Sequence, residues 1–206
     1  MRTLPAPAAL LIDFDGVLRR WPADDALERR HGLPAGSLRE IAFDPPLVAA
    51  LVEGRIDDAA WRTQTAQRLR DRHPAADVAG ALAQWSAGIG EIDRDLLALL
   101  DASATARRVL VSNGSTRLRG DLAAHGLDAY FHAVVNSSEI GVAKPAAAFF
   151  AAALSAAGVD AAQAAFIDDS AGHVAAAAAL GLRAHRYVDL AGARAFLRDC
   201  GLIPSD

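Results

Sequence analysis

Cysteine is almost absent from this chain. Cys200 is the only one, so a disulfide within the chain is impossible and a thiolate-bound zinc site is implausible. The apolar run near the amino terminus, residues 8–12, is too short for a signal peptide and leads directly into acidic residues. No segment approaches the length of a membrane span. We therefore expect a protein of the reducing cytoplasm that has no membrane partner.

Lysine is equally scarce, because Lys144 is the only lysine among 21 basic residues. The formal charge is −4 at pH 7, aromatic residues make up 6% of the chain, and the arginines are scattered. This composition lacks the basic stripe with interleaved aromatics that is typical of nucleic-acid binding. We interpret three arginine pairs as solvated surface positions: Arg19–Arg20, Arg29–Arg30 and Arg107–Arg108.

Short apolar runs alternate with helical patterns over much of the 206 residues. This alternation is typical of an α/β fold with a parallel sheet. Strands are predicted at residues 8–14, 108–112, 131–135, 164–167 and 183–187. Helices are predicted at residues 93–102, 117–125, 145–157 and 172–180, with Pro145 in the first turn of the third.

Residues 19–88 break this rhythm. They contain no strand-like run and are predicted to form short helices separated by proline and glycine. We interpret them as a helical insertion, or cap, placed directly after the first strand. The core domain would then comprise residues 1–18 and 89–206, with the small residues 86–90 as a hinge.

Two aspartates, Asp13 and Asp15, follow the first predicted strand. In an open α/β sheet the ligand crevice lies beyond the carboxyl ends of the strands. The period of two aims both side chains the same way while the strand lasts, and Gly16 then permits a sharp turn. The two carboxylates repel each other, and a divalent cation offsets that repulsion. The alternative is a strand end with two solvated aspartates.

A second acidic pair, Asp168 and Asp169, ends another predicted strand. Four carboxylates at one sheet edge are hard to explain by stability alone. Mg²⁺ commonly uses one or two carboxylates together with water and a substrate phosphate. The alternative, in which Asp169 or Ser170 caps the following helix, accounts for at most one of them.

Polar residues also end the strand at 108–112. The hydroxyl of Ser112 and the amide of Asn113 suit the oxygens of an anion, although the sequence is equally ordinary turn chemistry. Lys144 precedes another predicted helix. A compact ammonium on a flexible stem can reach between a carboxylate and a phosphoryl oxygen, where a planar guanidinium cannot substitute freely. We therefore interpret this lysine as functional.

Taken in order, the four motifs resemble the haloacid dehalogenase-like (HAD) superfamily: Asp13-Phe-Asp15-Gly-Val, Ser112-Asn-Gly, Lys144-Pro and Asp168-Asp169-Ser. The resemblance spans residues 13–169. It implies a Rossmann-like core, a three-layer α/β/α arrangement around a parallel sheet. It also implies that residues 19–88 form the type of helical cap that is inserted after the first motif.

The resemblance implies roles for the acidic residues. Asp13 is the expected nucleophile, since a carboxylate is ionised at neutral pH and needs no general base. Asp15 is the expected acid and base, with its backbone carbonyl on Mg²⁺. Asp13 and Asp169 are the preferred direct carboxylate ligands of Mg²⁺; Asp168 is the alternative to Asp169, or else acts through water or Lys144.

Phosphate contacts follow from the same resemblance. Ser112 is expected to hold a phosphoryl oxygen with Asn113 nearby, and Lys144 to bridge the phosphate and Asp13. Two positions depart from the common pattern. Ala146 replaces an acid, and His173 replaces an asparagine and is interpreted as an ordinary helix residue.

The expected activity is Mg²⁺-dependent hydrolysis of a small phosphomonoester, a sugar phosphate or similar metabolite, by a monomer or weak homodimer. A hexose-phosphate phosphomutase would use the same residues. A dehalogenase is disfavoured by Asp15, because halide leaves unprotonated. A receiver domain is shorter and carries its acceptor on a middle strand, and an idle phospho-ligand binding module stays open. Trp21, Trp61 and Trp85 are each expected in the core of the cap; if one of them contacts substrate, Trp21 is preferred because it is nearest the catalytic loop.

Overall fold

The computed structural model describes residues 5–21, 26–103 and 106–204. In these ranges the strands are β1 (Ala9–Ile12), β2 (Arg19–Arg20), β3 (Glu91–Ile92), β4 (Arg107–Ser112), β5 (Ala133–Asn136), β6 (Ala164–Asp168) and β7 (Arg183–Arg186). The first five helices are α1 (Leu27–Arg30), α2 (Ser37–Ala42), α3 (Pro45–Val52), α4 (Asp58–Arg72) and α5 (Val78–Ala87). The others are α6 (Arg94–Asp101), α7 (Leu118–Ala124), α8 (Ser137–Ile140), α9 (Ala147–Ala157), α10 (Ala171–Ala179) and α11 (Leu190–Asp199), with a 3₁₀ turn at Ala161–Gln163.

Five of the described strands form one parallel sheet in the order β5-β4-β1-β6-β7. Strand β1 lies at its centre, so its four residues are buried on both faces. This explains why they read as a continuous apolar run rather than an alternating one. The predicted α/β class and parallel sheet are confirmed.

Alternate residues of the central strands enter two separate cores. Leu10 and Ile12 pack with α6, α7 and α11 on one face of the sheet. Ala9 and Leu11 pack with α9 and α10 on the other face. The molecule therefore has the predicted three-layer α/β/α arrangement, with a sheet whose two faces are both covered.

Several element boundaries differ from prediction. Strand β5 begins at Ala133 and ends on the polar residue Asn136, and helix α8 follows it at once although no helix was predicted there. Helix α9 begins at Ala147, so Pro145 lies outside the helix rather than in its first turn. Each boundary here depends on tertiary contacts that a local pattern does not contain.

Arg19 and Arg20 form a strand, contrary to the prediction that residues 19–88 lack one. They pair antiparallel with Glu91 and Ile92 and make a short ribbon, separate from the main sheet, where the chain leaves and re-enters the core. A two-residue strand carries no detectable periodicity, which is why the sequence did not reveal it.

Helices α1–α5 lie between the two strands of that ribbon, and we call residues 26–87 the helical insert. It has its own apolar clusters, one around Leu69 and one around Trp61. The Trp61 side chain is buried and donates through Nε1 to the carbonyl of Ala42 at 2.9 Å, as its expected core position requires. The predicted division of the chain at residues 18 and 88 stays a prediction.

Candidate active site

The carboxyl ends of the central strands bring the predicted site residues together. Asp13 directly follows β1, Ser112 is the last residue of β4, and Asp168 is the last residue of β6. These strands are adjacent and parallel, so their ends meet at one edge of the sheet. Lys144 enters from the loop before α9. The predicted crevice at this edge thus holds a compact group of buried polar residues.

Lys144 lies at the centre of this group. Its ammonium donates to Asp13 Oδ1 at 2.8 Å, to Asp168 Oδ2 at 2.7 Å and to the carbonyl of Val111 at 3.0 Å. Its side chain is only 1% exposed. An ammonium has three hydrogens, so all its donors are used. Contact with a substrate phosphate would require it to exchange one of these partners.

Burial raises the pKa of Asp13 to about 6; Lys144 opposes this shift and the neighbouring Asp168 carboxylate adds to it. Burial also acts on Asp168, but hydrogen bonding from His173 and the charge of Lys144 outweigh it and leave the pKa below its usual value. The same two carboxylates overcome burial at Lys144 and raise the pKa of the ammonium. The lysine is therefore charged, and Asp13 is the carboxylate least compensated for its burial.

Asp169 lies on the outer side of the group. One oxygen each from Asp13, Asp168 and Asp169 lie within 4.8 Å of one another. Gly16 adopts φ +88°, and a Cβ placed there would lie 2.2 Å from Asp169 Oδ2. Any side chain at this position would therefore displace the Asp169 carboxylate.

This donor set fits a hard divalent cation. Three carboxylates lie close together, and the one ammonium, that of Lys144, pairs with Asp13 and Asp168, so the carboxylate charges of the group outnumber the lysine charge. Oxygen donors are what Mg²⁺ prefers. Asp168 already accepts from Lys144 and from the backbone N–H of Ser170 at 2.8 Å. Asp13 and the exposed Asp169 have more free acceptor capacity to hold the ion.

Asn113 has a different contact from the expected one. Its side-chain amide donates to the carbonyl of Lys144 at 2.9 Å, and its Oδ1 accepts from the N–H of Lys144 at 2.8 Å. It thereby fixes the backbone from which the lysine side chain projects. An asparagine amide can donate and accept at once, which suits this pairing.

Ser112 is buried at the end of β4 as predicted. Asn136, which the sequence analysis did not select, supports the loop after it. Asn136 donates to the carbonyl of Ser115 at 2.8 Å. A strand-end asparagine is the only local signal, and it is too common to identify such a role.

His173 is not the ordinary helix residue that was predicted. Its Nδ1 lies 3.0 Å from Asp168 Oδ1 and 3.1 Å from Asp168 Oδ2. The Ser170 side chain caps helix α10, and the first turn of that helix brings His173 back over the end of β6. The signal in the sequence was its spacing of five residues from Asp168, at the position where asparagine was expected.

Asp15 lies apart from the three grouped carboxylates. Its two oxygens accept from Arg19 Nε at 2.8 Å and Nη2 at 2.9 Å, and Oδ1 also accepts from Trp21 Nε1 at 2.7 Å. The Arg19 side chain is only 6% exposed, so the prediction that Arg19 lies on a solvated surface is wrong. Trp21 is half exposed, so its expected position in the core of the cap is wrong.

The helical insert contacts the core beside the site. The backbone N–H of Asp58 donates to Thr116 Oγ1 at 3.1 Å, and Ser115 Oγ donates to Asp58 Oδ1 at 3.2 Å. Gly54 lies against the carbonyl of Ser138, where a Cβ would come within 2.1 Å. The insert therefore covers the loop that follows β4.

The fold and the site are those of a parallel α/β protein with strand-end carboxylates around a buried lysine. A family model for haloacid dehalogenase-like hydrolase matches residues 7–181, and the chain belongs to this family. The predicted superfamily and its Rossmann-like core are confirmed. No curated protein is a significant match.

Solved structures with the same fold include a HAD family enzyme and a haloacid dehalogenase. A HAD family enzyme from Bacteroides thetaiotaomicron is 22% identical over 88% of this chain and 93% of its own, with a TM-score of 0.67. Its complex with magnesium and inorganic phosphate superposes with a TM-score of 0.65 at 22% identity, over 87% of this chain and 93% of its own. L-2-haloacid dehalogenase from Xanthobacter autotrophicus is 20% identical over 90% of this chain and 80% of its own, with a TM-score of 0.67. At these identities the likeness concerns the fold.

Within the described part of the chain, no helix has the length and apolar character needed to cross a membrane.

The raised pKa of Asp13 predicts a pH-dependent stability. The folded value is about 6 against an ordinary value of 3.8, so between these limits the folded state binds more protons than the unfolded state. The free energy of unfolding of the metal-free protein should therefore fall as pH rises through this window, relative to an Asp13→Asn variant. Thermal melts of both proteins in chelator across the window measure the difference.

Mg²⁺ should reverse this loss, because a protonated carboxyl does not ligate the ion. We expect Mg²⁺ to raise Tm clearly at about pH 8 and little at about pH 5. An equal rise in Tm on addition of Mg²⁺ to the Asp13→Asn variant would show that the ion does not bind to Asp13. A difference between the two metal-free proteins that does not change with pH would contradict the raised pKa of Asp13.

Proposed function

We propose that this protein is a Mg²⁺-dependent phosphatase that hydrolyses a small phosphomonoester through a phosphorylated Asp13. One observation carries the proposal: Asp15 provides a second carboxylic acid on the loop directly after the nucleophile. When a phosphomonoester is cleaved, its alcohol oxygen leaves as an alkoxide and needs a proton, whereas a halide leaves without one. Asp15 therefore favours phosphate esters over haloacids as substrates.

The first step transfers the phosphoryl group to the protein. An Asp13 oxygen attacks phosphorus in line, and the bond between phosphorus and the leaving oxygen breaks. That oxygen takes a proton from Asp15, which in its protonated form carries the proton on one oxygen while the other stays on Arg19, and it departs as an alcohol. Asp13 needs no general base because the nucleophile is its ionised carboxylate, which Lys144 holds in place with a hydrogen bond of 2.8 Å.

The second step releases phosphate. Water gives a proton to the Asp15 carboxylate and attacks the phosphorus of the acyl phosphate. The bond between phosphorus and the Asp13 oxygen then breaks, so that inorganic phosphate leaves and Asp13 is regenerated. Asp15 thus changes from acid to base between the two steps. Its side chain is 42% exposed, which gives it access to both alcohol and water.

Asp13, Asp169 and the backbone carbonyl of Asp15 would hold the metal, with Asp168 supporting Lys144. Bound there, Mg²⁺ supplies positive charge beside the phosphoryl oxygens. Ser112 would donate its hydroxyl to a phosphoryl oxygen at the end of β4. Asn113 acts indirectly, because its side chain fixes the backbone of Lys144.

The substrate we propose is a small phosphorylated metabolite such as a sugar phosphate. The helical insert contacts the loop after β4 through Asp58, and an insert placed beside the site favours a small substrate over a macromolecule. Trp21 is half exposed beside Asp15 and offers the leaving group an apolar wall.

A panel of phosphometabolites tests this function. Purified protein with Mg²⁺ is expected to release inorganic phosphate from one or more of them, and the Asp13→Asn variant serves as the blank. Isomerisation of a hexose phosphate with little free phosphate would identify a phosphomutase instead. Release of halide from a 2-haloacid, without phosphate release from any ester, would contradict the proposal.

Asp15→Asn should separate substrates by their leaving groups. A positioned acid contributes roughly 10²–10⁴-fold to rate, and an aryl oxide needs its proton less than an alkoxide does. We expect kcat on an alkyl phosphate to fall by about 10²-fold or more, with a much smaller loss on an aryl phosphate. Equal losses on both substrates would remove Asp15 from the acid role.

A further inference from the structure

Arg19 is a buried cation beside the site that makes several short hydrogen bonds and two aromatic contacts. It binds both oxygens of Asp15, and its Nη1 donates to Asp121 Oδ2 at 2.6 Å. Its guanidinium carbon lies 4.3 Å from the ring centroid of Phe14 and 4.5 Å from that of Trp21. Stacking and forked hydrogen bonding together use features that guanidinium has and ammonium lacks.

Arg19 also connects Asp15 to the linker that returns from the helical insert. Asp121 accepts from Arg117 at 2.7 Å. Arg117 in turn donates to the carbonyls of Ser86 and Gly88, each at 2.7 Å. A continuous set of charged contacts therefore runs from Asp15 to residues 86–88.

The linker packs tightly on Arg19 itself. A Cβ at Gly90 would lie 2.8 Å from the Cγ and Cδ atoms of Arg19, and Gly90 has φ +74°. Strand β2, which contains Arg19, pairs with β3 just beyond this glycine. Movement of the linker would therefore displace the Arg19 guanidinium.

We propose that Arg19 is the positioning residue for Asp15, fixing the direction of the acid–base carboxylate and tying it to the linker at residues 86–92. The inference rests on the proposed function, since it assigns Arg19 a role through Asp15. A carboxylate on a loop can rotate about two torsions. Three donors from Arg19 and Trp21 remove that freedom in the ionised carboxylate before substrate arrives. Once Asp15 is protonated, Arg19 can hold one oxygen and leave the other, with its proton, for the leaving group; such pre-orientation of a reacting group lowers the barrier.

A purely structural role predicts something different. Loss of a buried arginine between two carboxylates would destabilise the protein and lower all activities alike. A positioning role predicts a loss that depends on the leaving group, because only proton transfer by Asp15 is affected. It also predicts that lysine, which keeps the charge but not the fork or the stacking, does not restore the lost rate.

The experiment compares Arg19→Gln and Arg19→Lys on one alkyl and one aryl phosphate. A misplaced catalytic group costs up to about 10²-fold. We expect kcat on the alkyl ester to fall roughly 10–100-fold in both variants, and the loss on the aryl ester to stay within about threefold. Adding Arg19→Gln to Asp15→Asn should cost little more, because both changes remove the same function.

Two further variants complete the test. Asp121→Asn keeps the Asp15–Arg19 pair but weakens its anchor, so a smaller loss with the same leaving-group dependence is expected. Arg119→Gln breaks a solvent-exposed arginine–carboxylate pair, Arg119–Glu139, and should leave both activities unchanged.

The outcomes separate the two proposals. If the wild type hydrolyses neither ester, the proposed function fails. If it hydrolyses both and the Arg19 variants lose the two activities equally, or the double variant shows additive losses, the Arg19 inference alone is overturned. Thermal melts identify variants that fail to fold. If the Arg19 variants fail to fold, the dependence of the Asp121→Asn loss on the leaving group decides between a positioning and a purely structural role.

Discussion

A Lys144→Arg protein is expected to fold and to lose nearly all turnover. Removal of a single donor to a developing charge commonly costs about 10²–10³-fold in kcat, and we expect at least that loss. The fold should persist because the charge that compensates the buried carboxylates of Asp13 and Asp168 is kept. Steady-state kinetics with the best panel substrate, together with circular dichroism and thermal melts, measure both parts.

The physical reason is the shape of the space around the ammonium. Three acceptors converge on one nitrogen at 2.7–3.0 Å, and the side chain has almost no exposed surface. A planar guanidinium cannot satisfy three convergent acceptors from one point, and its greater volume overfills the site. Overpacking of a buried position typically costs about 1–3 kcal/mol, so Tm should fall moderately while the protein stays folded.

Arg119→Lys is the matched control, because it exchanges the same two side chains in an exposed ion pair. Its kcat and Tm should be close to those of the wild type, since exposed pairs contribute about 0–1 kcal/mol. Near-normal turnover in Lys144→Arg would contradict the prediction that this site requires a compact ammonium.

Asp13→Asn is expected to reduce phosphate release to the blank rate on alkyl and aryl esters alike. An amide oxygen is not a nucleophile of comparable strength, and the leaving group does not alter that. This pattern differs from that of Asp15→Asn, whose loss depends on the leaving group. Rapid acid quench of the wild type should trap a phosphorylated protein, and peptide mass spectrometry should locate the added mass at Asp13.

Stability measurements test whether the Asp13→Asn variant loses activity while it stays folded. The Asp13→Asn variant removes a negative charge that is costly at neutral pH, because burial raises the pKa of Asp13 to about 6. We therefore expect its metal-free form to be no less stable than the wild type above that pH. A folded Asp13→Asn protein with wild-type activity would transfer the nucleophile to another residue.

The five strands of the main sheet and three site residues were predictable from the sequence for one physical reason. Asp13, Ser112 and Asp168 each end a buried apolar run, and parallel strands carry their ends to one sheet edge. Lys144 could be selected because the chain otherwise uses arginine. The strand ends are local features that a short window of sequence contains, whereas the selection of Lys144 used the composition of the whole chain.

Arg19 and His173 were missed because their roles depend on contacts that a sequence window does not contain. Arg19 meets Asp121 across 102 positions of the chain, and a pair of adjacent arginines is most often solvated. His173 reaches Asp168 only because Ser170 caps the helix at that point. Asn113 was assigned to phosphate because its amide suits an anion, yet the same amide fits a backbone equally well.

The single lysine has a practical consequence for following the site in solution. An amine-reactive mass tag can modify only one side-chain amine in this sequence, that of Lys144. That amine is enclosed by Asp13, Asp168 and Val111. The rate of tagging therefore reports how often the centre of the site opens to reagent, without introducing a probe or changing a residue.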